Sequence, residues 1–396
     1  MPQLYIPPSY PNLFRPDGWD TAWRAAKNNA GQTPVDVLVF GDSIAAGTNL
    51  GYSSQCFVEL LGNAIAASYG RFADYSCNSQ NFTGGMPWST ALNATQALVP
   101  NVNYGWHTSS YSPDISQVAC QRYTTPYPCT AFDIHYLDCF SGKWSYAVDG
   151  AAPIQLTNAA TVSPDSAHAQ VKKLAFSGLP LAIHTFDWGW QTNSAAAYIH
   201  GATAYTGAPG GLALARCAVP GDAVYYFVDT QGPADRLSLY TNKNPQNDAT
   251  ASGAGAYGFP MAPHLLICQM IVNDCNIDGQ AGLTPPPSVT TFVQQYYRLL
   301  HAVRRARPGC SILFVIPCYP LASTDDCTSG FGNQLLFANY TQAVYQLAQA
   351  FNAAICNVNS RWGSNPATQG FMAPNNLHPI VPGHQDMAQF IQQALL

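Results

Sequence analysis

The sequence predicts an α/β fold whose parallel sheet is interrupted by an inserted β-sandwich domain. An apolar run at residues 35–40 ends on Gly-Asp-Ser and is followed by a helical pattern, as expected for a buried parallel strand that leads into a helix. From about residue 211 onward, apolar runs again alternate with helical patterns. Residues 76–208, between these parts, are rich in Gly, Pro, Ser, Thr and aromatic side chains and show strand-like alternation. These three observations give the predicted fold class.

The first part of the chain, residues 1–75, holds two predicted helices around one predicted strand. "WDTAWRAAKNN" at 19–29 has helical spacing, and "VDVLVF" at 35–40 is a continuous apolar strand. The segment "SSQCFVELLGNAIAASYG" has apolar positions at helical spacing and ends on Gly70, a residue type that commonly terminates helices. A strand, a tight turn and a helix in this order begin an α/β domain.

The middle part, residues 76–208, is predicted to be the inserted sandwich. Alternating runs such as "AFDIHYLDCF", "KWSYAVDGAAPIQL" and "LAIHTFDWGW" occur at short intervals, and Asp149-Gly150 between two runs is a hairpin signal. Several short strands spaced in this way predict a β-sandwich. Its tryptophans suit either stacking on sugars or filling the sandwich core; they are Trp88, Trp106, Trp144, Trp188 and Trp190.

The last part, residues 209–396, returns to alternating strands and helices. The predicted strands are "GLALARCA", "HLLICQMIVND", "CSILFVIPCYP" and "AAICNVNSRWG". The predicted helices are "SVTTFVQQYYRLLHAVRRARPG", "NQLLFANYTQAVYQLAQAFN" and "PGHQDMAQFIQQALL". This alternation predicts a parallel sheet, with ligands bound at the carboxyl ends of its strands.

Composition excludes several classes of function. The net charge is −5 without a basic run, which argues against nucleic acid as a partner. No apolar stretch reaches about 18 residues, so no transmembrane helix is expected. The charged fraction is only 9%, and such a polar, weakly charged surface suits life outside the cytosol. The N-terminus lacks the pattern of a signal peptide, so we expect either that the chain is mature as numbered or that it leaves the cell by another route, such as inside a virus particle. The expected location is therefore extracellular or virion-associated.

The 12 cysteines allow two interpretations. Two pairs close short loops and suit disulfides in an oxidising compartment: Cys120 with Cys129, and Cys318 with Cys327. The alternative is that cysteines are small buried apolar residues, which suits Cys268 and Cys356 in apolar runs. No paired Cys or His spacing typical of a zinc site occurs.

Polar residues that follow the predicted strands form the candidate site. Ser43, Gly221 and Asn273 each follow a strand, and His378 lies just before the last helix in "NNLHPIVPGH". We expect them to gather at one edge of the sheet. A serine nucleophile needs a base within hydrogen-bond reach, together with backbone N–H groups and an amide donor for a developing oxyanion. These four residues supply each of those parts.

Each of these residues also has a plainer local interpretation. Gly-Asp-Ser is a good turn with a helix N-cap, Gly221 suits an ordinary strand-to-helix turn, and Asn273 suits the cap of a turn. His384 is a rival base, or else a surface or capping residue of the last helix.

"FGDSIAAG" resembles the first sequence block of the GDSL, or SGNH, hydrolase family, and "LHP" with "PGHQDMA" is similar to its last block. The resemblance covers roughly residues 1–75 and 209–396. It implies a three-layer α/β/α fold with a flavodoxin-like parallel sheet. A layout in which a β module splits such a domain resembles phage minor tail proteins and some bacterial surface esterases.

The same resemblance implies roles for the four residues. Ser43 is then the nucleophile and His378 the base. The backbone N–H groups of Ser43 and Gly221 and the side chain of Asn273 then form the oxyanion hole. No metal and no cofactor are implied.

The sequence departs from the family pattern at two positions. Asn375 stands three residues before His378, where the family usually has Asp, and Ile271 stands two before Asn273 in place of a usual glycine. An Asn amide oxygen accepts the Nδ1 proton of the catalytic His in papain-like proteases. We therefore expect a Ser-His dyad oriented by Asn375 or a backbone carbonyl, or else an impaired site. Asp386, inside the last helix, is badly placed to be the acid.

Two functions of different classes follow. The first is a serine esterase that removes acetyl or longer acyl groups from a cell-surface polysaccharide or lipid. The alternative is a structural or receptor-binding virion protein of the minor-tail type, whose SGNH domain is weak or inactive. Its partners would then include other virion tail proteins.

Overall fold

The structure is a computed structural model. It describes residues 11–47, 50, 54–77, 88–91, 99–101, 105–107, 120–125, 127–138, 143–157, 159, 170–190, 198–207, 210–218, 223–224, 228, 262–275, 286–318, 334–363, 366–372 and 377–396.

A largely parallel sheet forms the centre of the α/β part. Its strands are β1 (Leu13–Phe14), β2 (Pro34–Gly41), β3 (Arg71–Cys77), β14 (Gly211–Ala218), β15 (Leu265–Gln269), β16 (Ser311–Ile316) and β17 (Ala354–Asn357). They lie in the order β1-β17-β16-β15-β2-β14-β3, and only the edge strand β1 pairs antiparallel within this series. Counted from β2, the strands β14-β2-β15-β16-β17 have the flavodoxin-like order 2-1-3-4-5. The predicted α/β class with a flavodoxin-like parallel sheet is confirmed; the inserted β-sandwich stays a prediction.

Helices cover both faces of this sheet. They are α1 (Thr21–Asn28), α2 (Ser43–Ala46), α3 (Phe57–Tyr69), α4 (Val289–Ala306), α5 (Gln334–Phe351), α6 (Val358–Trp362) and α7 (Val381–Leu395). Alternate residues of β2 serve two cores: Val37 and Val39 pack with α1, α3 and α7, whereas Leu38 and Phe40 pack with α4 and α5. Every one of these four side chains is fully buried, which explains the continuous apolar run in the sequence.

Local signals in the sequence mark several helix ends correctly. Gly70 ends α3 with a φ of +77°, and Ser288 caps α4 by accepting a hydrogen bond from the Thr291 N–H. One prediction was too long: of the expected strand "AAICNVNSRWG", only Ala354–Asn357 is a strand, and α6 follows at once. The Asn357 side chain caps that helix by accepting from the Ser360 N–H.

The middle of the chain forms strands in two sheets. They are β4 (Trp88–Ala91), β5 (Val99–Asn101), β6 (Gly105–His107), β7 (Cys120–Thr124), β8 (Cys129–Asp138), β9 (Lys143–Val148), β10 (Ile154–Thr157), β11 (Gln170–Ala182), β12 (Thr185–Trp190) and β13 (Tyr198–Tyr205). Strands β10-β9-β12-β7-β4 form a separate sheet. The remaining strands of this region, β5, β6, β8 and β11, are connected through β13 to β3 of the central sheet. The central sheet therefore continues into this region. The limits 76 and 208 of an inserted domain remain a prediction.

An aromatic cluster lies between the two sheets of this middle region. It combines side chains from β7, β8, β9, β12 and β13, namely Tyr123, Phe132, Ile134, Tyr136, Trp144, Tyr146, Phe186, Trp188 and Ala202. Trp144 and Trp188 are each 1% exposed, so these two tryptophans fill a core and do not face a ligand. The side chains of Trp88, Trp106 and Trp190 lie outside the described part of the chain.

The described cysteines are buried thiols. Cys129 and Cys318 are both free, so the structure forms neither of the two loop disulfides considered from spacing. The side chain of Cys120 and the whole of Cys327 lie outside the described residues. Cys268 and Cys356 are buried in the cores, as the alternative interpretation expected. None of the helices in the described ranges is long and apolar enough to cross a bilayer.

Candidate active site

Ser43 is the first residue of the one-turn helix α2, which starts where β2 ends. Asp42, the preceding residue, caps this helix: its Oδ1 atom accepts a hydrogen bond of 2.8 Å from the Ile44 N–H. Gly47 ends the turn with a φ of +77°, a conformation in which glycine carries no penalty. Because Asp42 fills the capping role, the side chain of Ser43 is not the N-cap.

The hydroxyl of Ser43 meets the imidazole of His378. Ser43 Oγ and His378 Nε2 lie 2.7 Å apart, although 335 residues separate them in the chain. His378 precedes α7 and is held near an isolated antiparallel bridge between Met372 and Pro379. The distance is within the range of a good O–H···N hydrogen bond. The structure therefore brings the predicted serine and the predicted base together.

Partial burial of His378 lowers the pKa of its imidazole. Removing the imidazole from water penalises its charged form and lowers the pKa of His378 to about 4. A neutral imidazole has one nitrogen that can accept a proton. This protonation state is the one that a general base needs.

His384 has a different place in the molecule from the one expected. It is fully buried on α7, and its Nδ1 atom accepts a hydrogen bond of 3.2 Å from the Phe57 N–H at the start of α3. His384 therefore caps a neighbouring helix, so its interpretation as a surface residue or as a cap of its own helix was wrong. Burial, together with the charge of His378, lowers the pKa of His384 to about 4.

Asn273 lies beside the Ser43 strand. It begins a 3₁₀ turn, Asn273–Cys275, which follows β15, the strand next to β2. Its side chain is buried. The pair β2 and β15 is the point at which the strand order reverses direction, where ligands bind in open α/β sheets. Ser43 and Asn273 therefore lie at the same edge of the sheet, each just after one of two adjacent strands.

Ile271, between β15 and Asn273, has a φ of +134°. This region of backbone conformation is normally adopted by glycine, and a β-branched residue there is strained. The backbone at this position thus has a conformation that glycine adopts freely, while the side chain is a buried isoleucine.

Two predicted site residues, Gly221 and Asn375, lie outside the described residues. The segment just after Gly221 is described at Ala223 and Val224. The Val224 N–H donates to Asp274 Oδ1 at 3.1 Å, and Asp274 directly follows Asn273.

Asp386 is engaged elsewhere. Its carboxylate accepts two hydrogen bonds from the Arg361 guanidinium, at 2.8 and 2.7 Å, and one of 2.7 Å from the Trp362 indole N–H. The bonds from Arg361 lower the pKa of Asp386 despite its partial burial. Among the side chains described here, no group of three or more His, Cys, Asp or Glu residues could hold a metal ion.

Sequence reasoning missed the residue that holds the Ser43 turn from the neighbouring strand. Gln269 ends β15 and is fully buried. Its side-chain amide contacts Asp42 Oδ1 at 3.1 Å and the Ala45 N–H at 2.9 Å. The available signal was a single polar residue at the end of the apolar run "LLICQ".

A comparison with solved structures finds a peptidoglycan O-acetylesterase with the same architecture. The TM-score is 0.57 at 15% sequence identity, and the match covers 97% of this chain and 99% of that enzyme. This chain shares the fold of that enzyme. The match includes the middle region as well as the central sheet, so the likeness extends over the whole layout.

Other solved structures align with lower scores. A carbohydrate esterase family 2 enzyme with its carbohydrate-binding domain, from Myceliophthora fergusii, gives a TM-score of 0.32 at 13% identity and covers 75% of this chain and 96% of that one. A lipase/acylhydrolase from Enterococcus faecalis gives 0.31 at 15% identity, covering 46% and 75%. No protein-family model and no curated protein matches the sequence.

Proposed function

We propose that this protein is an SGNH-type serine esterase in which Ser43 is the nucleophile and His378 the general base. The observation that carries the proposal is the 2.7 Å contact between Ser43 Oγ and His378 Nε2 at the carboxyl edge of the sheet. A serine hydroxyl is a weak nucleophile unless a base within hydrogen-bond reach takes its proton. The lowered pKa of His378 supplies that base in its neutral form.

The reaction proceeds in two acyl transfers. Ser43 Oγ attacks the ester carbonyl carbon as its proton passes to His378 Nε2, and the carbonyl oxygen becomes an oxyanion. When the C–O bond to the alcohol breaks, His378 returns that proton to the leaving oxygen. A water molecule then attacks the acyl-serine, with His378 again accepting and returning a proton.

We assign the oxyanion hole to the backbone N–H groups of Ser43 and Gly221 and the side-chain amide of Asn273. The position of Asn273 in the turn that follows β15, the strand next to β2, supports this assignment. The hydrogen bond from Val224 to Asp274 also supports it, because it ties the chain three residues after Gly221 to the turn that holds Asn273. Donors of this kind stabilise the charge that develops in the transition state.

We propose Asn375 as the residue that orients His378. An amide oxygen can accept the Nδ1 proton and so fix the tautomer in which Nε2 faces Ser43. The three hydrogen bonds that occupy the Asp386 carboxylate support this choice, since they commit the last acid of the chain to Arg361 and Trp362.

The proposed substrates are acyl esters, acetyl above all, on a cell-surface polysaccharide. The fold that this chain shares with a peptidoglycan O-acetylesterase over nearly the full length of both supports a glycan substrate. The sparse charge of the chain suits a neutral sugar polymer better than a charged one. An extracellular or virion-associated location is part of the proposal.

The test compares wild type, Ser43→Ala and Ser288→Ala. The Ser288 side chain caps α4 by accepting from the Thr291 N–H, so its variant measures what loss of a helix-capping serine does. We expect Ser43→Ala to abolish hydrolysis of a nitrophenyl acetate and release of acetate from O-acetylated peptidoglycan, and Ser288→Ala to keep both. A fluorophosphonate probe should label wild type at Ser43, as located by mass spectrometry. A folded wild type that neither reacts nor is labelled contradicts the proposal and favours the virion structural protein.

A further inference from the structure

Gln269 is a polar side chain at the end of an otherwise apolar buried strand. It ends β15, where each of the four preceding residues of the strand is a buried apolar residue, and it is itself 0% exposed. Burying an amide costs free energy unless its donor and acceptor groups are bonded. The partners of Gln269 therefore indicate what the residue is for.

Both partners belong to the turn that carries Ser43. The Ala45 N–H can only donate, so its partner at 2.9 Å is the amide oxygen Oε1. The Asp42 carboxylate accepts, so its partner at 3.1 Å is the amide nitrogen Nε2. One planar amide thus spans Ser43, with one bond to the residue before it and one to the second residue after it.

Asp42 connects the same group to the helix backbone. Its Oδ1 atom accepts from Gln269 Nε2 and from the Ile44 N–H together. The first two N–H groups after Ser43 are therefore both held, one by Asp42 and one by Gln269. The short helix α2 is fixed at both of these points, independently of its own single turn of hydrogen bonds.

Gly41 makes room for this arrangement. It pairs directly with Gln269 in the parallel ladder. A Cβ atom at position 41 would lie 2.2 Å from the Ala45 Cβ and 3.1 Å from Gln269 Oε1. The glycine of Gly-Asp-Ser thus lets Gln269 and the helix approach each other.

We infer that Gln269 is a positioning residue: its amide holds the Asp42–Ala45 turn so that Ser43 Oγ stays within hydrogen-bond reach of His378. The inference rests on the proposed function, because it concerns the same nucleophile. Misplacement of a reacting group by about 1 Å can cost about 10²-fold in rate. The two hydrogen bonds of the Gln269 amide go to Ala45 and Asp42, so Gln269 acts through the turn.

The first test pairs Gln269→Met with Asn357→Leu. Met has a similar volume to Gln but makes neither hydrogen bond. Asn357 is the matched control: it is a buried amide at the end of β17, it caps α6, and β16 separates its strand from β15. We expect both variants to melt at lower temperature than wild type.

Only Gln269→Met should lose activity. We expect its kcat to fall by at least about tenfold with KM within about threefold, and its Ser43 to react more slowly with a fluorophosphonate by a similar factor. Asn357→Leu should keep kcat within about threefold. Equal kcat values for Gln269→Met and wild type, or an equal loss in the control, overturn the inference.

A second variant, Gln269→Glu, tests the hydrogen-bond pattern itself. A protonated Glu accepts from the Ala45 N–H and donates to Asp42, as Gln does, whereas an ionised Glu faces the Asp42 carboxylate. We expect kcat of this variant to be within about threefold of wild type near pH 5 and at least about tenfold lower near pH 8. Wild type should show no such fall in kcat between these two pH values. The same deficit at both pH values would contradict a positioning role for the amide.

A crystal structure of Gln269→Met separates this inference from the proposed function. We expect the distance between Ser43 Oγ and His378 Nε2 to exceed about 3.5 Å, beyond a hydrogen bond. If wild type proves inert while this distance increases, the proposed function fails and the positioning role stands. If the distance is unchanged, the positioning role fails whatever the activity of wild type.

Discussion

The edge of the central sheet contains a partly buried histidine, His378, and the middle β region contains a buried one, His184. The pKa values of these two histidines are shifted in opposite directions. At the sheet edge, burial lowers the pKa of His378 to about 4. In the β region, His184 at 2% exposure lies between three oxygen acceptors: Asp149 Oδ2 at 2.7 Å, Pro180 O at 2.9 Å and Cys129 O at 3.2 Å. The pKa of His184 moves in the other direction.

Acceptors account for the difference between the two histidines. Burial alone would lower the pKa of His184, but its hydrogen bonds to Asp149 and to the Pro180 and Cys129 carbonyls, with the charge of Asp149, raise it above the usual value. A carbonyl cannot donate, so Nε2 must carry a proton, and a carboxylate at Nδ1 favours a second. The pKa of the imidazole is thus lowered in one region and raised in the other.

His184 ties three turns of the β region together. Its backbone N–H donates to Thr125 Oγ1 between β7 and β8, and its ring reaches Asp149 in the turn after β9. The second carboxylate oxygen of Asp149 accepts from the Thr185 N–H at 2.8 Å. These bonds stabilise a set of loops, whereas His378 contacts the hydroxyl of Ser43.

The two regions also differ in backbone strain. Asp149 has a φ of +51° in its turn, a value that Asp adopts readily. Ile271 at the sheet edge has a φ of +134°, which favours glycine. Strain therefore lies in the turn before Asn273 and not in the turn that holds His184.

The largest effect we predict is the loss of the base. His378→Asn should lower kcat/KM for nitrophenyl acetate by at least about 10³-fold, because Ser43 then lacks a proton acceptor of suitable strength. His384→Asn is the matched control, since an Asn oxygen can still accept from the Phe57 N–H. The control should lose stability but keep kcat, and a greater loss of kcat in the control would make His384 the base.

The next effect concerns the pH–rate profile. Because a base acts only when unprotonated, the acid limb of kcat/KM should lie near pH 4, the value given by the pKa of His378. Asn375→Asp would place a carboxylate beside the imidazolium and should move this limb up by about 1–3 units. Steady-state kinetics over this pH range checks both. An unmoved limb in Asn375→Asp means that residue 375 does not face the imidazole.

A smaller effect is expected from relief of backbone strain. Ile271→Gly should destabilise the protein by about 1–3 kcal/mol less than Ile267→Gly, because only position 271 gains from glycine's freedom at positive φ. Both isoleucines are buried, with 2% and 0% exposure for Ile271 and Ile267, so the loss of packing is comparable. Denaturant unfolding measures the difference. Equal losses would show that Ile271 is not strained.

The smallest effect concerns stability against pH in the β region. The pKa of His184 is raised in the fold, so its contribution is fully present below the unfolded value of about 6.5 and is lost as pH rises through the folded pKa. Asp149→Asn should remove this pH-dependent fall in stability. It should also lower the free energy of unfolding by about 1 kcal/mol, a small amount because the Asp149 side chain is 43% exposed. Thermal melts from pH 5 to pH 9 check it, with the exposed His301→Gln as control. A slope that survives in Asp149→Asn contradicts the assignment.

At the sheet edge, the dependence of stability on pH should have the opposite sign. His378 and His384 have pKa values lowered to about 4, so their contribution is present above about pH 6.5 and is lost as pH falls towards 4. Melts of His384→Asn below pH 6.5 should show a shallower acid loss than wild type.

Local patterns in the sequence were sufficient for the elements themselves. The run "VDVLVF", the helical spacing of α3 and α4, Gly70 and the Asp149-Gly150 turn gave correct strands, helices and ends, because periodicity and turn chemistry depend on near neighbours. The resemblance of "FGDSIAAG" led to the fold for the same reason: it lies within one strand, turn and helix.

Only the tertiary structure decided which distant residues contact one another. In the fold, Ser43 contacts His378, which is 335 residues away in the chain, and Gln269 bonds to the Asp42–Ala45 turn. His384 accepts a hydrogen bond at the start of another helix. Strand β3 pairs with β13 in one sheet. The tertiary structure also shifted the pKa values of His184 and His378 in opposite directions. These outcomes depend on hydrogen-bond partners and burial supplied by distant strands and helices, and the spacing of neighbouring residues does not encode them.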